Sequence, residues 1–274
     1  MNEEPCRIGS GGGTLLGTLH RPAGTPAGAL LLCNPLFEER KSAQRILVEL
    51  ARTLSAAGIA VLRFDYRGCG DSEGEFASFS VPDWTVDIRC AADWLNGRYP
   101  GLKTGILGLR LGATLAMTAR GGEPAFDFAV LWEPVVKGRD HLDHELRRKL
   151  MKEMMTFGKS QVTVDSLVKE LEGGREIDFD GYPITPALYR DLCGLDLLQI
   201  RDKLPQKCLT VGIGNAERPS PSLTRLNDAF RAAGSDGEVR AVREQPFWSL
   251  VGLVPCPDLI RETAAWIKRA AGAE

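Results

Sequence analysis

Apolar residues along most of the chain fall into two alternating patterns. A short unbroken run at residues 29–33 has the length and texture of a strand buried on both faces, and residues 59–64 are again strand-like. Between them, residues 41–57 carry Ile46, Leu50 and Leu54 at helical spacing, with Leu47 alongside and Gly58 as the stop. The rhythm repeats downstream. A helix is predicted over residues 83–96, a strand over 104–107, a helix over 112–120 and a strand over 126–132. Further strands at 207–213 and 238–243 flank a helix near 222–233, and a last helix covers about 257–271. Residues 6–19 alternate weakly about the run Gly11-Gly12-Gly13 and predict an edge hairpin. Strands alternating with helices predict an α/β fold with a parallel sheet covered on both faces.

One stretch breaks the rhythm. Residues 137–198 show no strand pattern and hold a charged run from Arg139 to Lys149, followed by Met151, Met154 and Met155. They read as a helical insertion over the top of the sheet. The expected division is a core of residues 1–136 and 199–274 and a helical cap of residues 137–198.

Composition narrows the function classes. The chain has 274 residues and a formal net charge of −2, with 43% hydrophobic and 26% charged residues. That balance fits a folded globular protein, and it lacks the basic footprint of a nucleic-acid binder. No apolar run is long enough for a membrane-spanning helix. The first residues show no basic start followed by an apolar stretch, so a secretory signal is not expected. Seven scattered cysteines include no C-x-x-C pair, which argues against zinc ribbons and thioredoxin-like chemistry; reduced thiols in a cytoplasmic protein are expected, with no metal and no cofactor.

Ligands of open parallel sheets bind beyond the carboxyl ends of the strands. After the strand at 104–107 stands Gly108-Leu109-Arg110-Leu111-Gly112, leading into a helix. The frame G-x-?-x-G between strand and helix is that of the nucleophile elbow, where the central residue is usually Ser. Here it is Arg110, a permanent cation that only donates hydrogen bonds and cannot attack a carbonyl.

The chain resembles the α/β-hydrolase superfamily over nearly its whole length. The run from Asp65 to Gly74 looks like the D-x-R-G-x-G-x-S-x-G loop of serine hydrolases of the esterase and aminopeptidase type. Residues 34–41, 108–113, 131–136 and 246–248 resemble the exosortase A system-associated hydrolase 2 group, a group tied to exopolysaccharide and protein-sorting loci. The resemblance implies an α/β-hydrolase fold, a mostly parallel, doubly wound sheet with a helical cap. It also implies a base histidine after the last strand, where Glu244 to Leu250 contain none. The Ser-His-Asp mechanism needs nucleophile and base within hydrogen-bond reach. At the usual nucleophile and base positions the chain supplies no catalytic residue, and Glu217 at the acid position has no partner histidine.

The ligand-binding candidates are Arg110, Leu111, Leu36, Glu38, Glu39, Glu133, Glu217 and Trp248. Arg110 reads either as a clamp for an anion at a helix N-terminus or as one half of an internal ion pair. Glu38, Glu39, Glu133 and Glu217 all follow strands and are the candidate partners. The backbone N–H of Leu111, with that of Leu36 or Phe37, would form an oxyanion-hole-like pair. Ser72 and Cys33 read as structural, His141 and His144 as members of a solvated cap face, and the three methionines as packing. The expected protein is an esterase-like pseudoenzyme that binds a small anionic or acyl ligand under the cap. The alternatives are an active ester, thioester or peptide hydrolase with an unusual constellation, and a scaffold whose cap binds a protein partner.

Overall fold

The computed structural model describes residues 2–119, 126–158, 162–200, 204–250, 252 and 254–273. Its centre is an eight-stranded sheet. Strands β1 (Asn2–Ser10) and β2 (Gly13–Arg21) form the expected hairpin, and β2 pairs antiparallel with β4 (Ile59–Phe64). From β4 onward the strands are parallel: β3 (Gly28–Cys33), β5 (Thr104–Leu109), β6 (Phe128–Trp132), β9 (Lys207–Gly214) and β10 (Asp236–Arg243). The spatial order is β1-β2-β4-β3-β5-β6-β9-β10.

Unbroken apolar runs form the central strands because both of their faces are covered. On one face Leu30, Leu32, Leu107 and Val130 pack under α1 (Phe37–Ala56) and α8 (Pro257–Ala271). On the other, Leu31, Cys33, Ile106 and Leu131 pack under α2 (Val81–Arg98) and α3 (Leu111–Thr118), with α7 (Pro221–Ala232) contributing Leu226 and Phe230. The helix predicted from residue 41 begins earlier, at Phe37, with Glu38 and Glu39 in its dipole-favoured first turn. The helix predicted to residue 120 ends at Thr118, and residue 120 lies outside the described residues.

Residues 137–198 carry α4 (Gly138–Phe157), α5 (Val164–Glu172) and α6 (Pro186–Cys193). The expectation of no strand there is corrected by a separate hairpin, β7 (Ile177–Phe179) and β8 (Tyr182–Ile184). Its turn is Asp180-Gly181, both at positive φ (51° and 87°), the chemistry a two-residue hairpin demands. The Asp178 carboxylate accepts the Gly181 N–H at 3.1 Å and locks the turn. Leu142, Leu146, Leu167, Leu171, Leu188 and Leu192 join the same apolar cluster as α2 and α3. Met151, Met154 and Met155 do not: they are 64%, 56% and 83% exposed, against the expectation of packing.

Candidate functional site

The turn from β5 into α3 is built by exclusion. A Cβ on Gly108 would run into the backbone of Ala113, and one on Gly112 into the carbonyl oxygens of Asn34 and Cys33. Glycine at both positions lets the start of α3 press against the turn between β3 and α1. Arg110 then sits at the tip with φ 55° and ψ −124°, a left-handed conformation rare for a residue with a side chain. Its backbone is pinned by N–H donation to Trp132 O at 2.9 Å and by acceptance from Ala113 N–H at 3.1 Å. The elbow survives as backbone geometry although its side chain is not a nucleophile.

Every guanidinium nitrogen of Arg110 has a partner. Nε donates to Glu39 Oε1 at 3.0 Å, Nη1 to the Glu133 carbonyl at 3.4 Å, and Nη2 faces His141 Nδ1 at 3.4 Å. The Trp248 ring covers the guanidinium face at 5.4 Å and is itself held edge-on by Phe247. Arg110 and Glu39 are 17% and 13% exposed, so the pair is largely removed from water. Of the two sequence readings, the geometry is that of an internal ion pair, with Glu39 as the partner.

The other candidate carboxylates fall elsewhere. Glu38 points to solvent and pairs with Lys41 at 3.0 Å. Glu217 is 83% exposed and faces Arg243 at 3.6 Å, because the loop after β9 carries it away from the elbow. Glu133 reaches Arg110 only with its carbonyl; its Oε2 accepts the Ile213 N–H at 2.7 Å. Burial raises the Glu133 carboxyl pKa, opposed by that hydrogen bond and by Arg110. Burial raises Glu39 as well, against the pull of the Arg110 charge and hydrogen bond.

Leu111 opens α3 and Leu36 is the buried N-cap of α1. Phe37, the next residue, has φ 56°, and its ring packs on Phe76, Phe179 and Tyr182. Ser72 is structural: its hydroxyl donates to Asp65 O at 2.6 Å and accepts from Leu16 N–H at 2.8 Å. Arg67 in the same loop is locked to buried Asp87 at 2.6 Å, which also accepts from Ser10 Oγ. Cys33 is fully buried, which drives its thiol pKa far up. All seven cysteines are free thiols.

His141 is the residue beside the elbow that the sequence pattern misplaced. His144 is exposed as expected, but His141 lies buried in the first turns of α4, beside Arg110. Burial, reinforced by the Arg110 charge, pushes its pKa down to about 3, so it is neutral at physiological pH. A guanidinium can only donate, so Nδ1 is the acceptor and the ring proton sits on Nε2. The position just past β6, at the carboxyl edge of the sheet, was the signal available.

Two clefts flank the Arg110 side chain. One, of about 370 Å³, is lined by Arg110, Lys137, His141, Leu223 and Arg225 among others. The second, of about 790 Å³, lies over Glu39, Glu145, Arg148 and Trp248. Among the described residues no group of three or more His, Cys, Asp or Glu side chains is arranged to hold a metal ion, and no helix is long and apolar enough to cross a membrane.

Comparison with known proteins agrees with the fold. An esterase of Pyrococcus furiosus is similar in structure, with TM-score 0.66, 14% identity, and 98% of this chain and 91% of that one covered. Est1E of Butyrivibrio proteoclasticus, solved with ferulic acid, gives TM-score 0.68, 16% identity, and 98% and 100% coverage. The α/β hydrolase GrgF of a Penicillium species gives 0.67, 18%, and 99% and 100%. At these identities the likeness establishes the α/β-hydrolase fold alone. A Rickettsia prowazekii protein, RP471, is 33% identical over 93 residues, 34% of this chain and 38% of that protein's length. The family profile described as serine aminopeptidase, S33 matches residues 24–177, more than half of the chain. The chain belongs to the serine aminopeptidase S33 family of α/β hydrolases.

Proposed function

We propose that this protein is a non-hydrolytic member of its family that binds a small anionic or acyl ligand beside a plugged elbow. The observation that carries the reading is Arg110 at φ 55°, in the nucleophile's place, with Nε on Glu39 at 3.0 Å. The side chain that should attack is a committed cation, and no hydroxyl or thiol stands in its place. His141 does not restore the chemistry. It meets the far end of the Arg110 side chain, several bonds beyond where a serine hydroxyl at this position would lie.

Residues 137–198 serve as the cap of the cleft in this reading, with α4 delivering His141 over the elbow. The resemblance to the exosortase A system-associated hydrolase 2 group supports a role in polysaccharide export or protein sorting. The exposed Met151, Met154 and Met155 on α4 support a protein partner at the cap. A panel of simple esters, thioesters and aminoacyl amides tests the reading. Neither the wild type nor Arg110→Ser is expected to turn over any of them above the buffer rate. Saturable turnover by the wild type would favour the active-hydrolase alternative.

A further inference from the structure

Three helices begin at the carboxyl edge of the sheet and turn their N-terminal ends to one cleft of about 370 Å³. Helix α3 contributes Arg110, α4 contributes Lys137, Asp140 and His141, and α7 contributes Ser222 and Arg225. Free N–H groups and aligned dipoles make such a convergence favourable to negative charge. Further observations point to a ligand there. Among the described residues neither Lys137 nor Arg225 forms an ion pair, although both line the cleft. His141 is 9% exposed and neutral, its Nδ1 taken by Arg110, and its Nε2–H has no partner among the described residues. His141 lines this cleft, so an N–H donor on a ring nine-tenths buried stands open to an acceptor carried by a ligand there.

Arg110 is not the anchor. Its nitrogens already meet Glu39, the Glu133 carbonyl and His141, and its face is under Trp248. Glu133 turns its carboxylate to the Ile213 N–H, which leaves Lys137 and Arg225 against Asp140 at the rim. That excess suits a single negative charge and not a phosphate dianion. The remaining wall is apolar: Pro134, Val135, Val136, Leu198 and Leu223. A head group alone would leave this surface wet, whereas an alkyl tail covers it.

We infer that this cleft binds a monocarboxylate with an apolar tail, its head held between Lys137, Arg225 and the Nε2–H of His141. The inference rests on reading the cleft as a ligand site. It moves the anion contact from Arg110 to residues outside the elbow.

Isothermal titration calorimetry with octanoate tests it on the full chain. Octanoate is expected to bind with a negative heat-capacity change. Octanamide, which keeps the tail without the charge, and acetate, which keeps the charge without the tail, are each expected to bind at least tenfold more weakly. Inorganic phosphate is expected to behave like acetate. Lys137→Ala combined with Arg225→Ala is expected to weaken octanoate at least tenfold, with the melting temperature of the free protein unchanged because both side chains are exposed. Lys137→Arg is expected to keep the affinity. No octanoate binding by the wild type, equal binding of octanamide, or wild-type affinity in the double variant would each overturn the inference. Turnover of octanoate esters would instead overturn the non-hydrolytic reading and leave the clamp standing.

Discussion

Arg110 and Glu39 join two turns that lie 71 residues apart in the chain, with Nε of one 3.0 Å from Oε1 of the other. One residue caps α3 and the other sits in the first turn of α1, so the pair fastens the elbow to the loop after β3. Neither charge has much access to water. Such a pair adds little net stability relative to an apolar filling, yet it is costly to break from one side.

Arg110→Ala is therefore expected to cost about 3–5 kcal/mol, because Glu39 is left as an uncompensated buried carboxylate. Adding Glu39→Leu or Glu39→Gln should recover much of the loss, so the double-mutant cycle gives a large coupling. The deficit should also depend on pH. The folded-state pKa of Glu39 is already raised above 4.5, and loss of the Arg110 charge raises it further. A carboxyl raised in the folded state stabilises the fold below its unfolded value, and that advantage is lost as pH rises through the folded value. Urea melts should show the Arg110→Ala deficit shrinking as pH falls toward about 4.5. A deficit independent of pH would contradict the pairing.

His141 sets an opposite slope in the wild type. Its pKa is pushed from 6.5 to about 3 by burial and then by Arg110. A group depressed in the folded state contributes stability above its unfolded pKa, and this is lost as pH falls through the folded value. His20 acts in the same direction: burial lowers it to about 4, and Arg63 Nε donates to its Nε2 at 3.0 Å. Wild-type stability is expected to fall as pH drops from about 6.5 toward 4. Replacing His141 with Gln should flatten part of that slope, and replacing His20 as well should flatten more. Parallel slopes in the three proteins, followed by denaturant midpoint, would show both imidazoles to be solvated.

The fold was legible because its signals are local and periodic. Ile59–Phe64 matches the predicted strand residue for residue, and the helix expected over 257–271 is Pro257–Ala271. The elbow was legible from two glycines whose spacing backbone sterics enforce. The hairpin β7–β8 escaped because each strand has three residues, although Asp180-Gly181 between Phe179 and Tyr182 carried the turn signal. His141 escaped for a different reason. Its contact with Arg110 spans 31 residues and depends on how α4 docks, which no local spacing encodes. Choosing Glu39 over Glu38 needed the helical phase: neighbours in sequence point about 100° apart, and only one faces the elbow.

Gly112→Ala is expected to be more damaging than a core truncation of similar size. Its Cβ would meet the backbone oxygens of Asn34 and Cys33, and backbone cannot turn aside as a side chain can. The start of α3 would have to lift away from the loop after β3, separating Arg110 from Glu39. Loss of several kcal/mol, read from urea denaturation, is the expected result. Gly97→Ala on α2 makes a control, since nothing lies within 4 Å of the added Cβ; it should be neutral or slightly stabilising.

Intact-mass spectrometry after treatment with a fluorophosphonate probe tests the plugged elbow most directly. The wild type is expected to show no adduct, because Arg110 occupies the nucleophile position and Ser72 is held between Asp65 and Leu16. Arg110→Ser is expected to stay unlabelled too, because the neutral imidazole of His141 stands opposite the guanidinium it would lose and not opposite the new hydroxyl. A stoichiometric adduct on any serine of the wild type would contradict the account and reveal a working nucleophile elsewhere in the fold.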